Sequence, residues 1–163
     1  PDGTAQDCTI ERPSGDPKLD ALSCTIYLQR AKFESPKWID GTPAYGVFRS
    51  SIHWTNGGGA PEKELEEAYP ADMELTTNTL PPGAGTTTKI TVQIAVGESG
   101  RVLGCENRPP LPHERKKYFP ALALIACPRM ISEFTAAPAK DASGNPVRSV
   151  ETARIRFSTG QLK

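Results

Sequence analysis

Residues 87–107 read TTKITVQIAVGESGRVLGCEN. Ile90, Val92, Ile94 and Val96 alternate with Thr and Gln, the period of a strand with one buried face. Gly97-Glu98-Ser99-Gly100 has the composition of a hairpin turn, so Arg101–Asn107 reads as the returning strand, with Cys105 near its end. Beyond it, FPALALIA (119–126) opens a helix and MISEF (130–134) keeps its spacing, with Pro128 either kinking the helix or opening a second turn of it. AAPAKDASGNPV (136–147) is turn-rich, and SVETARIRF (149–157) closes the unit as a strand with Ala153, Ile155 and Phe157 toward the core.

The same phrases occur about a hundred residues earlier. DGTAQDC (2–8) matches SGRVLGC (99–105), and the run from Leu19 to Trp54 matches that from Ala121 to Phe157. Cys8 falls on Cys105, Cys24 on Cys127, Phe33 on Phe134, Pro36 on Pro138, Gly41-Thr42-Pro43 on Gly144-Asn145-Pro146, and Trp54 on Phe157. Asp16 and Pro17 have the chemistry of a helix cap and first turn, and Leu19, Leu22, Ile26 and Ala31 follow at roughly helical spacing. Strands are expected at TAQDCTIE (4–11) and GVFRSSIHW (46–54). The reading divides the chain into a first module at 1–55, a linker and lead-in at 56–86, and a second module at 87–163. It places the first module's opening strand upstream of Pro1.

Four cysteines allow three pairings; the repeat favours Cys8–Cys24 and Cys105–Cys127, with structural free thiols as the alternative. Loops of that length stabilise by roughly 3 kcal/mol in the chain-entropy model. Cys-x-x-Cys spacing, the mark of zinc and redox sites, is absent. Disulfides point to an oxidising compartment.

Composition excludes some functions. With 19 basic and 19 acidic residues, the chain lacks the basic footprint of a nucleic-acid binder. Its longest apolar run, FPALALIAC, is about half of the ~20 residues a membrane span needs. No catalytic set, cofactor site or metal site is expected. His53 and His113 each suit a general base or a packing role, the latter far commoner. Ser14 and Ser99 precede turn glycines without a Gly-x-Ser-x-Gly elbow, and NGGGAP (56–61) lacks the Lys of a phosphate loop. HERKK (113–117) suits an anionic partner such as lipid or peptidoglycan, or a solvated loop. The Glu run in PEKELEEA (61–68) reads as a solvated helix face rather than a metal patch, and Trp38 and Trp54 offer a ligand-stacking face or simple burial.

ESGRVLGC (98–105), RPSGDPKLDALSC (12–24), AKFESP (31–36), FTAAPAKDASGNPV (134–147) and YPADM (69–73) together resemble the TonB C-terminal domain family. The cysteine pair is similar to a disulfide-bearing subgroup. The resemblance covers nearly the whole chain as two tandem copies. It implies an α+β fold of two modules, each a small antiparallel sheet with a helix packed on one face. It also implies a place in the periplasm of a Gram-negative bacterium, soluble or anchored through an upstream segment. In that family an extended segment of an outer-membrane TonB-dependent transporter adds to a sheet edge. Here the edge would be the closing strands, 47–54 and 149–158, at Arg49, Ser51, Val150, Thr152, Arg154 and Arg156. An open edge would also permit self-association. The duplication and RPPLPHERKKYFP (108–120), which replaces the family's Ser-Ser-Gly phrase, depart from the pattern. They leave open an orphan scaffold without energy transduction or, further off, a small periplasmic enzyme.

Overall fold

A computed structural model describes residues 2–52, 54, 70–108 and 119–160. In chain order the elements are α1 (Pro17–Arg30), β1 (Tyr45–Val47), β2 (Met73–Thr77), β3 (Thr87–Val96), β4 (Val102–Asn107), α2 (Pro120–Glu133), β5 (Ala139–Lys140), β6 (Pro146–Val147) and β7 (Ser149–Thr159). The architecture is α+β, with a mixed sheet ordered β1-β7-β3-β4 and β2 also paired to β7.

The hairpin stands where its alternation placed it. β3 and β4 pair antiparallel from Val92↔Asn107 to Val96↔Val102, with a bulge that leaves Leu103 as the extra residue. The Gly97 N–H donates to the Arg101 carbonyl at 2.9 Å, closing the turn. Gly100 sits at φ +82, and a Cβ there would run into the Ala136 carbonyl, so both backbone conformation and space require glycine. The helix continues through Pro128 to Glu133.

Ile90, Val92, Ile94 and Val96 from β3 meet Leu122, Ala123, Ala126 and Met130 from α2 and Ala153, Ile155 and Phe157 from β7 in one core. Phe157, Ile155, Val92 and Met130 are fully buried. Large aliphatic and aromatic side chains stabilise by about 1.5–3 kcal/mol each on burial, so this cluster holds the sheet to its helix.

β7 is the organising strand. β3 runs antiparallel along it from Thr87↔Ser158 to Val96↔Ser149. On its other side β1 pairs in parallel with Ser149–Glu151 and β2 pairs in parallel with Ile155–Thr159. Residues 73–77, read above as linker and lead-in, are therefore a strand of the sheet, and Met73 and Leu75 pack against its core. The closing strand 149–158 is interior rather than an edge, because residues assigned to the first module and the linker cover the side that the resemblance left open.

The two cysteine-bearing segments share their local hydrogen bonding. α1 and α2 are each 14 residues long and lie 103 apart (Pro17 with Pro120, Arg30 with Glu133). At the same spacing, Gly41 N–H to Trp38 O repeats as Gly144 N–H to Asp141 O, and Trp38 N–H to Thr42 O repeats as Asp141 N–H to Asn145 O. Phe33 N–H to Gly3 O repeats as Ala136 N–H to Gly100 O. The spacing is constant after the helix, so Phe33 corresponds to Ala136 and Pro36 to Ala139, correcting the register read from the sequence. Both expected disulfides are present, Cys8–Cys24 and Cys105–Cys127, with Cα separations of 5.5 and 5.2 Å.

The sheet is where the likeness stops. Expected strand 4–11 is reduced to a single bridge, Thr4 with Lys32, and expected strand 46–54 to the three residues of β1. A strand needs a partner for its backbone groups, and among the described residues nothing does for 4–11 what β3 does for β4.

Candidate functional site

The residues proposed from sequence as a partner edge are drawn together in a different role. Asp72 lies where β1 and β2 meet end to end along β7. Its backbone N–H donates to the Arg154 carbonyl at 2.7 Å, and its Oδ2 accepts the Arg154 N–H at 2.7 Å. One side chain thereby takes the place of a strand across the break. Its Oδ1 accepts from Arg49 Nη1 at 2.8 Å, and Glu11 stands 3.5 Å from Arg49 Nε. Arg156 pairs with Glu74 of β2 at 2.8 Å. Thr152, Arg154 and Arg156 are half-buried, Val150 is buried, and Arg49 and Ser51 follow the end of β1.

Glu151 joins this cluster from the inward-facing register of β7, opposite Ile94. It is 6% exposed, and its Oε1 has no hydrogen-bond partner among the described residues. Burial pushes its carboxyl pKa up, the Arg49 guanidinium pulls it back, and Asp72 and Glu11 add to the rise. For Arg49, burial acts to lower the pKa, but the carboxylates of Asp72 and Glu11 outweigh it and hold the group above its ordinary value. One guanidinium among three carboxylates joins the first half of the chain to the sheet. Sequence reasoning missed Asp72 and Glu151, although a charged residue in the inward register of 149–157 was visible.

Among the described residues, one flank of the sheet is formed by β1 and β2 and the other by β4, which pairs only with β3. Alongside it runs a groove of about 310 Å³, lined by Cys105, Glu106 and Asn107 from β4 and by Pro120, Ala123, Leu124, Cys127 and Pro128 from α2. The disulfide Cys105–Cys127 ties its two walls. Leu124 is 79% exposed, so the helix presents aliphatic surface there. The arrangement offers backbone donors and acceptors beside shallow apolar space, which suits an extended chain better than a compact ligand.

A wider hollow of about 490 Å³ opens among Trp38, Gly97, Glu98, Ser99, Leu103 and Arg148. The Arg148 guanidinium lies 5.3 Å over the Trp38 ring and donates to Thr42 Oγ1 at 3.0 Å. Trp54 instead donates its indole N–H to Ser23 Oγ on α1 at 3.2 Å. The two tryptophans thus have different partners. Ser14 accepts the Asp16 N–H and Ser99 lies in the hairpin turn.

His53, His113, NGGGAP, the Glu run of PEKELEEA and HERKK lie outside the described residues. Among those described, no group of three or more His, Cys, Asp or Glu side chains is placed to hold a metal ion, and no helix is long and apolar enough to cross a membrane. In comparison with known proteins, no family model, curated protein or solved structure matches the chain.

Proposed function

We propose that the chain is a periplasmic protein-interaction module, built of two TonB-like units in tandem, that takes up an extended segment of an outer-membrane TonB-dependent transporter by strand addition. The observation that carries this reading is that, among the described residues, β4 pairs with no strand but β3 and has the α2 groove along it. A segment added there pairs its main chain with β4, while alternate side chains enter the space between Ala123, Leu124 and Pro128. Main-chain bonds supply affinity and the groove supplies selectivity. The two disulfides fit an oxidising compartment, as the periplasm is.

A second reading, an orphan scaffold with the fold but without energy transduction, is favoured by one finding. The side of β7 that the resemblance assigns to the transporter segment is filled by β1 and β2. Titrating isotopically labelled protein with peptides from transporter N-termini separates the two. Strand addition predicts amide shifts along residues 102–107 and 120–128. Absence of shifts at millimolar peptide favours the scaffold.

A further inference from the structure

The hollow beside Trp38 and Arg148 is built by the loop 37–43, which lies on the face of the sheet away from α2. Ile39 of that loop covers Gly104 and Ala95, and a Cβ at Gly104 would run into Ile39 Cδ1, so glycine there lets the loop approach closely. Stretches distant in sequence then share the walls: Trp38 from the loop, the turn at Gly97–Ser99, Leu103 and Arg148.

The apolar walls exceed what local folding requires. The Trp38 N–H donates to the Thr42 carbonyl at 2.7 Å, and the Asp141 N–H donates to the Asn145 carbonyl at 2.9 Å in the matching turn. A turn that forms equally around Asp does not account for an indole. Leu103 is the extra residue of the β3–β4 bulge and remains 55% exposed. Bulges re-aim side chains, and this one turns a leucine to the hollow instead of the core. The cationic wall is braced from behind. The Arg148 guanidinium rests on the Trp38 ring, donates to Thr42 Oγ1, and lies 3.8 Å from Asp40 Oδ2. Asp40 in turn accepts from both the N–H and the hydroxyl of Thr42.

We infer that this hollow is a binding site for a neutral saccharide. Its volume of about 490 Å³ is in the range of ligand sites. Of the described residues lining it, only Arg148 and Glu98 are charged, and their charges cancel, so neither an anion nor a cation is selected. Arg148 already occupies the indole as a ligand cation would. Beside the platform of indole and leucine stand a guanidinium that only donates, a carboxylate that only accepts, and the Ser99 hydroxyl, which does both. A sugar ring answers that set, with a C–H face for Trp38 and Leu103 and hydroxyls that both donate and accept. The site is separate from the groove along α2 and stands whether or not β4 binds a partner.

The probes are maltose, cellobiose and N,N′-diacetylchitobiose, titrated into isotopically labelled full chain. A Trp54→Phe variant leaves Trp38 as the sole indole reporter. Saturable millimolar binding of at least one disaccharide is expected, shifting Trp38 emission and the amides of residues 38–42, 97–103 and 148. Trp38→Ala is expected to weaken it at least tenfold. Leu103→Ser, on an exposed residue that leaves the core untouched, is expected to do the same with the α2 amides unmoved. Binding that survives Leu103→Ser undiminished overturns the inference, as does the absence of shifts with all three sugars near their solubility limits. Inorganic phosphate or tetramethylammonium moving the same amides more strongly than any sugar overturns the neutral-saccharide class.

Discussion

At the scale of single residues, Glu151 is the group whose charge the fold holds least easily. Burial raises its pKa, with Arg49 opposing. The unfolded chain titrates the group at its ordinary carboxylate value and the folded chain at a higher one. Its contribution to stability is therefore full below the ordinary value and is lost as pH rises through the raised one. Glu151→Gln keeps the shape without the charge, and Arg49 retains Asp72 and Glu11. Denaturant midpoints across pH should show the variant matching the parent in acid and gaining on it toward neutrality. A parent that gains on the variant over that range contradicts the assignment. Much at this scale was legible in the sequence: Asp16 accepts the Lys18 N–H at 2.8 Å at the head of α1, and Pro17 opens its first turn. Asp72 was not, because a side chain standing in for a strand acts through pairing 82 residues away.

Elements that carry their own period were legible as well. β3 spans Thr87–Val96 as its alternation required, and β7 begins at Ser149. Elements that depend on a partner were not. Residues 4–11 have strand composition but, among the described residues, pair only through the bridge from Thr4 to Lys32, whereas Met73–Thr77 becomes a strand because β7 accepts it. The alternation of Met73 and Leu75 was the available signal. The two disulfides should differ in the same way. Cys105–Cys127 ties β4 to a helix packed in the core, and replacing both residues by Ser should cost about 3 kcal/mol, read as a lowered urea midpoint. Cys8–Cys24 ties a largely exposed segment to α1, of which only Ser23 is buried. Its double Ser variant should leave that midpoint nearly unchanged while exposing residues 2–16 to protease. Equal losses from the two variants would mean that the first half shares the core.

For the whole molecule, the sheet of the described residues is bounded on one flank by β1 and β2 and on the other by β4. The parallel docking of β1 and β2 on β7 brings residues 45–47 and 73–77 to a strand that begins at 149, and local periodicity carries no trace of such pairing. That docking moved the candidate site from β7 to β4. The central claim is that β4 receives an extended chain, and the direct test is amide hydrogen exchange at single-residue resolution with and without a transporter N-terminal peptide. Strand addition leaves the amides facing β3 as they were and slows those of Val102–Asn107 that point away from it, giving protection at alternate residues along β4. Uniform exchange along β4, unchanged by saturating peptide, would contradict the account.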